Sequence, residues 1–328
     1  MAMNGITRRG LLVGMGVLCL ARFSWAAPYE SPVQSTDVWR AQWHDAKRNR
    51  DVPVKIYYPK ANGPFPVIMF SHGLGGTRET YQYLGEYWAQ HGFIVVHMQH
   101  IGSDDATWRG GGGMAGLRAA ITPKNALDRP HDVSFCIDQI TKLNTDPTWS
   151  LHGKLDLSHI GMAGHSFGAN TTLMVSGMKM PLATQNVADP RIKCAIPMSA
   201  PAPMLKNYDT IYGSIKIPTF HMTGTEDTSP VDRANTTPLD RRIPYDHITG
   251  ADSYLNTFTG GDHMVFSGRP RNTAPVATDD RNHALIQQSS LAFWNAYLKG
   301  DAKALAWLRT DFSKELGANG VFEQKKAK

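Results

Sequence analysis

The chain has 328 residues, 41% of them hydrophobic and 19% charged, with a formal charge of +6. That composition is globular. The basic balance does not point to nucleic acid, because Arg8, Arg9 and Arg22 lie in an acid-free leader whose removal lowers the charge to +3.

The leader comes first in chain order. Thr7-Arg8-Arg9-Gly10-Leu11-Leu12 opens an uncharged run to Ala21, followed by Ser24-Trp25-Ala26-Ala27-Pro28. Twin arginines, a short apolar core and small residues at the cleavage positions read as a twin-arginine export signal over 1–26. The run falls short of the roughly 20 apolar residues that a spanning helix takes, so no stable membrane anchor is expected. The expected location is periplasmic or secreted, with the twin-arginine translocase as a partner during export. Residues 27–328 show no repeat, linker or charge block and read as a single domain.

Val38 to His44 and Val52 to Tyr58 read as two opening antiparallel strands. Pro66 to Ser71 is a continuous apolar run, typical of a strand buried on both faces, and it ends in His72-Gly73-Leu74-Gly75-Gly76. Tyr81 to His91 follows as a helix and Phe93 to Met98 as another buried strand; this alternation indicates parallel βαβ units. Gly102 to Pro123 is a long glycine-rich loop carrying Trp108, either a lid aromatic or a plain surface one. Asp128 to Leu143 has helical spacing. A strand around Ile160 then leads into Gly164-His165-Ser166-Phe167-Gly168 and a further helix. Ile192 to Met198, Ile217 to Met222 and Tyr254 to Phe258 read as three more strands, Ala284 to Leu298 as a closing helix, and Lys325 to Lys328 as a solvated end. Export would permit Cys136 and Cys194 to pair, although both fall in elements that read as buried, where free thiols are common.

In parallel α/β sheets the reacting groups lie beyond the carboxyl ends of the strands. Four strands here end in suitable groups: His72-Gly73-Leu74, Ser166, Asp227 and His263. Gly-x-Ser-x-Gly between a strand and a helix is the context of a nucleophile elbow, which presents the serine hydroxyl on a strained turn. A serine hydroxyl is a weak nucleophile and needs a base oriented by a carboxylate. Ser166, Asp227 and His263 supply nucleophile, orienting group and base, in the chain order known for this elbow. Glu226 rivals Asp227, and His221, His247 and His283 rival His263. His165 reads as a packing neighbour rather than a base. The backbone N–H groups of Phe167 and Leu74 are the candidate oxyanion donors. Leu74, Phe167 and Met264, with Trp108, would line an apolar substrate site. His97, His100, Asp104 and Asp105 cluster in sequence, but their spacing matches no strong ligand motif, so no metal is expected.

These motifs together resemble the α/β-hydrolase superfamily. Within it the chain looks most like the branch of predicted dienelactone hydrolases, platelet-activating-factor acetylhydrolase-like enzymes and cutinase-like polyester hydrolases. Arg129-Pro130-x-Asp132 also resembles the first two. The resemblance covers roughly residues 38 to 300. It implies an α/β-hydrolase fold with a mostly parallel eight-stranded sheet and helices on both faces, a cofactor-free triad and hydrolysis of small-molecule carboxylic esters. The chain departs in places. Dienelactone hydrolases proper use a cysteine where this chain has Ser166. The polyester hydrolases place a tryptophan where it reads Ser199-Ala200-Pro201-Ala202-Pro203-Met204, and commonly an aromatic at the Leu74 position. An acyltransferase or amidase with the same triad, or a non-catalytic binding protein on the same fold, is compatible with the same residues.

Overall fold

A computed structural model describes residues 29–180, 186–201, 205–232, 236–268 and 277–327, together with Met1. Apart from Met1, the export segment lies outside the described residues. In chain order the elements are β1 (Thr36–Asp45), β2 (Arg50–Pro59), β3 (Phe65–Ser71), α1 (Gln82–Gln90), β4 (Ile94–Met98), α2 (Gly113–Ala119), α3 (Pro123–Asn144), β5 (Leu155–His165), α4 (Phe167–Val175) and β6 (Ile192–Met198). There follow α5 (Tyr208–Tyr212), β7 (Thr219–Glu226), α6 (Ile243–His247), β8 (Ser253–Asp262), α7 (Ala277–Leu298), α8 (Ala302–Thr310), α9 (Phe312–Leu316) and β9 (Gly320–Lys325).

The strands form one sheet in the order β1-β2-β4-β3-β5-β6-β7-β8-β9. From β4 to β8 every pairing is parallel, while the outer pairings β1–β2, β2–β4 and β8–β9 are antiparallel. This is the α/β-hydrolase arrangement. It carries nine strands where the resemblance implied eight: β9 pairs with β8 from Ser253↔Lys325 to Phe258↔Gly320, so Lys325 belongs to an edge strand and not to a solvated end. Segment 102–123 also differs from a plain loop, since it contains two short 3₁₀ turns and α2.

Alternation along the central strands feeds two cores. Ile68 and Phe70 of β3, Val95 of β4 and Ala163 of β5 pack under Leu84 and Trp88 of α1 and Leu291, Phe293 and Trp294 of α7. Their neighbours Val67, Met69, Ile94, Val96 and Met162 pack under Val133, Ile137 and Ile140 of α3. Burial on both faces is why these strands read as unbroken apolar runs. Trp88 and Trp294 meet edge to face with ring centroids 5.7 Å apart, an arrangement that adds about 1 kcal/mol to plain area burial. Cys194 lies in the first core and Cys136 in the second, and both thiols are free.

The strand order reverses between β3 and β5. The chain steps from β3 out to β4 on one side, then returns through α3 to β5 on the other. The loops leaving β3 and β5 therefore splay apart into a crevice, the usual ligand position in such a sheet. His72–Gly76 leaves β3 there and Ser166 leaves β5.

Two histidines within this core, His97 of β4 and His221 of β7, are held neutral. Burial, with the nearby charges of Lys55 and Lys325 respectively, lowers each from 6.5 to about 3. The unfolded chain takes up these protons below about pH 6.5, whereas the folded chain refuses them until about pH 3. Stability should therefore be whole above pH 6.5 and fall as the pH drops toward 3, by up to about 1.4 kcal/mol per unit for each ring. The urea midpoint of His221→Leu is expected to fall less steeply between pH 6.5 and 4 than that of the parent. Equal slopes would contradict the assignment.

Candidate functional site

Ser166 stands between the last residue of β5 and the first of α4, at φ 55° and ψ −116°. A non-glycine residue there carries on the order of 1–3 kcal/mol of strain and persists only where its surroundings enforce it. The enforcement is backbone against backbone. A Cβ on Gly168 would come within 1.9 Å of the Ser71 carbonyl oxygen, and one on Gly164 within 2.3 Å of the Gly168 carbonyl oxygen. Glycine at both positions lets β3, β5 and α4 close to this distance, and the turn then lifts Ser166 out at the N-terminus of α4.

The other two strand ends converge on the hydroxyl. Ser166 Oγ lies 2.9 Å from His263 Nε2, and His263 Nδ1 lies 2.8 Å from Asp227 Oδ1. The β7–β8 contact places these loops side by side. Gly224 and Gly261 approach so closely that a Cβ on Gly224 would come within 2.0 Å of the Gly261 carbonyl oxygen, and beyond it Glu226 pairs with Asp262. His263 is 8% exposed and Asp227 fully buried. Burial works against the Asp227 charge. The hydrogen bond and charge of His263, the Arg241 guanidinium and the Ser199 hydroxyl more than offset it, so the carboxyl is held below its usual range. The tautomer that pairs Nδ1–H with this carboxylate leaves Nε2 as the acceptor facing Ser166 Oγ.

Three groups around Asp227 carry no motif and were missed in the sequence. Ser199, just past β6 at φ 51°, places its hydroxyl 2.8 Å from both Asp227 Oδ1 and His263 Nδ1. Thr223 Oγ1 donates to Asp227 Oδ2 at 2.8 Å. The Arg241 guanidinium donates to the Asp227 carbonyl at 3.3 Å and to the Asp232 carboxylate at 2.5 Å. The signal that could have found them is position alone: Ser199 follows a strand neighbouring β5, and Thr223 lies four residues before Asp227.

The rivals lie elsewhere. Glu226 is exposed at the end of β7. His221 bonds Thr219, His247 pairs with Asp209, and His283 bonds the Val265 carbonyl. His165 packs with its ring centroid 4.7 Å from that of His263 and its Nδ1 2.8 Å from the Tyr81 hydroxyl. Burial first, then the adjacent His263, pushes the His165 pKa well down.

The loop after β3 is pinned from several sides. Gly73 N–H donates to the Tyr81 hydroxyl at 3.2 Å, Gly75 N–H to the Ser103 carbonyl at 2.9 Å and Gly76 N–H to the Gly73 carbonyl at 3.0 Å. Among the described residues no acceptor meets the N–H of Leu74 or of Phe167. Segment 102–123 packs along this loop. Trp108 donates from its indole to the Gly75 carbonyl at 2.9 Å and is 37% exposed, and Arg118 reaches the Pro230 carbonyl beyond Asp227 at 3.0 Å. The Trp108 indole is thus tied to the Gly75 turn. Met264 follows His263 with 42% of its surface exposed. His97 and His100 do not form a metal site with Asp104 and Asp105. His100 bonds Asp132 and Ser71, Asp104 bonds Gln99, and no group of three or more His, Cys, Asp or Glu among the described residues is arranged to hold a metal ion.

Comparison with known proteins gives related but distant similarity. A family model described as Chlorophyllase matches residues 28–107, which hold β1 to β4 and the pinned loop but not Ser166. Cutinase est1 of Thermobifida alba is 27% identical over 145 residues, covering 44% of this chain and 38% of the relative. Cutinase est2 of the same organism is 25% identical over 219 residues, covering 65% of this chain and 60% of the relative. A platelet-activating factor acetylhydrolase of Cavia porcellus is 25% identical over 292 residues, covering 78% and 63%. The chain thus spans less than two thirds of the length of these relatives.

Removing the Ser199 hydroxyl leaves Asp227 Oδ1 short of one donor in a buried site. Ser199→Ala is expected to lower stability by about 1–2 kcal/mol and to slow fluorophosphonate labelling of Ser166 by roughly 10-fold. The urea midpoint and the labelling rate check this, and a parental labelling rate would show that Ser199 does not orient His263.

Proposed function

We propose that this chain, an α/β-hydrolase by its fold and similar in sequence to the cutinase and platelet-activating-factor acetylhydrolase branch, is a serine hydrolase acting on carboxylic esters. The observation that carries the reading is the hydrogen-bonded chain from Ser166 Oγ through His263 to Asp227, mounted on a serine held at φ 55°.

In this reaction Ser166 Oγ attacks the ester carbonyl carbon while His263 Nε2 takes its proton. Asp227 holds the imidazole orientation and stabilises the imidazolium. Negative charge collects on the former carbonyl oxygen, where the free N–H groups of Leu74 and Phe167 donate to it. The N-terminus of α4 adds its dipole to the same point. Collapse breaks the bond to the alkoxide, which leaves with the proton from His263. Water then attacks the acyl-enzyme with His263 again as base, releasing the acid and restoring Ser166. Leu74, Phe167 and Met264 offer an apolar lining for the acyl or alcohol group, with Trp108 at the Gly75 turn. The twin-arginine leader supports export to the periplasm or beyond, and absence of the protein from both the periplasmic fraction and the culture medium would contradict that part.

Purified protein should turn over p-nitrophenyl acetate and take one fluorophosphonate adduct on Ser166. Ser166→Ala should abolish the adduct, and Ser166→Ala, His263→Ala or Asp227→Asn should each lose roughly 10⁴-fold in kcat. An adduct elsewhere, or hydrolysis by Ser166→Ala at the parent rate, would overturn the mechanism. A series of p-nitrophenyl esters of increasing acyl length should show kcat/KM rising and then falling where the apolar lining ends. A flat profile would remove the lining from the reading.

A further inference from the structure

The ester-hydrolase reading leaves a buried guanidinium without a part. Arg129, on α3, is fully buried. Its guanidinium donates to Thr171 Oγ1 at 3.1 Å, Ser103 Oγ at 3.0 Å, Ser71 Oγ at 3.1 Å, and the His72 carbonyl. Its central carbon lies 4.6 Å from the centroid of the Phe167 ring. One side chain thus holds the end of β3, the start of segment 102–123 and the first turn of α4.

Every one of these hydrogen-bond partners is neutral. The opposing charge felt most strongly through space is Asp132, one helical turn along α3, whose carboxylate already pairs with Arg48 at 2.8 Å, Arg50 at 2.9 Å and His100 Nδ1 at 2.9 Å; His100 Nε2 in turn lies 2.9 Å from the same Ser71 Oγ. A buried cation held by neutral acceptors is costly, and apolar packing would fill the same volume at less cost. The planar fork does what packing cannot: it reaches several acceptors in fixed directions at once.

Those directions matter at the His72–Gly73 peptide. Its carbonyl accepts from Arg129 and its N–H donates to Tyr81 at 3.2 Å. Both ends of that peptide plane are held, so the direction in which the chain enters Leu74 is set. On the other side, the Phe167 ring rests on the guanidinium face and the Thr171 hydroxyl on its edge. We propose that Arg129 is a positioning residue for the oxyanion site, its fork joining the loop that bears the Leu74 N–H to the helix turn that bears the Phe167 N–H. The proposal rests on the ester-hydrolase reading above. Arg129 itself touches no reacting atom; it acts through the two amides.

The test uses the full chain carrying Arg129→Lys, which keeps the charge and loses the fork, beside Thr171→Val, which removes one acceptor with little change of volume. The readouts are kcat and KM for p-nitrophenyl acetate, the affinity for a trifluoromethyl ketone that forms a tetrahedral adduct on Ser166, and the urea midpoint. For Arg129→Lys the expected result is a loss of roughly 100-fold in kcat, as for a displaced oxyanion donor. KM should stay within about threefold and ketone affinity should fall in step with kcat, because only the oxyanion-bearing state uses the two amides. Thr171→Val should show a smaller loss of the same pattern, and it decides the matter if Arg129→Lys does not fold. Parental kcat and ketone affinity in the folded variants would overturn the proposal. So would a rise in KM matching the loss, since that marks general damage to binding. If the parent hydrolyses esters and Ser166→Ala does not, those outcomes count against Arg129 alone; if the parent does not hydrolyse esters, the reading beneath it fails instead.

Discussion

The arrangement depends on a close backbone contact. Where β5 turns into α4, the chain comes within contact distance of the end of β3, and there is room for no side-chain atom on Gly164 or Gly168. The closeness of that crossing forces the positive φ of Ser166 and directs its hydroxyl outward. It also brings the His72–Gly76 loop alongside the first amide of α4. One steric constraint therefore exposes a hydroxyl and sets the loop after β3 beside the start of α4, before any charged residue contributes.

The charged residues then divide into two buried sets. Around His263 the carboxylate of Asp227 is surrounded by donors: His263, Ser199, Thr223 and, more distantly, Arg241. This keeps the carboxylate ionised in a site where burial alone would favour the neutral acid. Beneath the other side of the cleft the signs are reversed, with the Arg129 cation among neutral oxygens and Asp132 as its counter-charge through space. Both sets are out of water, where hydrogen-bond geometry is held most firmly and an unpaired member costs most. The proposed reaction would use that rigidity, since oxyanion donors must already be aimed where charge develops.

Much of this was legible along the chain. The central strands stood out because both faces are buried, which removes polar residues from them. The elbow stood out because only glycine tolerates the crossing, so its spacing is written in residue types. Asp227 and His263 could be placed as the groups ending the right strands, and their rivals set aside by position. Less legible were β9, whose alternation is interrupted by Glu323 and Lys325 at an open edge, and α2, whose glycine-rich start looks like a loop. Ser199 and Thr223 carried no signal, since hydroxyls are common and nothing local distinguishes one that faces a carboxylate.

What the sequence determined by itself was the alternation of strand and helix, the elbow and the identity of the groups at the strand ends, because each follows from short-range sterics and burial period. What only the tertiary structure decided was distance: that the imidazole reaches the hydroxyl, that Ser199 and Thr223 meet the carboxylate, and that Arg129 spans two loops. These contacts join residues up to 97 positions apart. Their geometry is set by strand order, by sheet register and by close approaches such as Gly224 against Gly261, none of which leaves a pattern in any one stretch of chain.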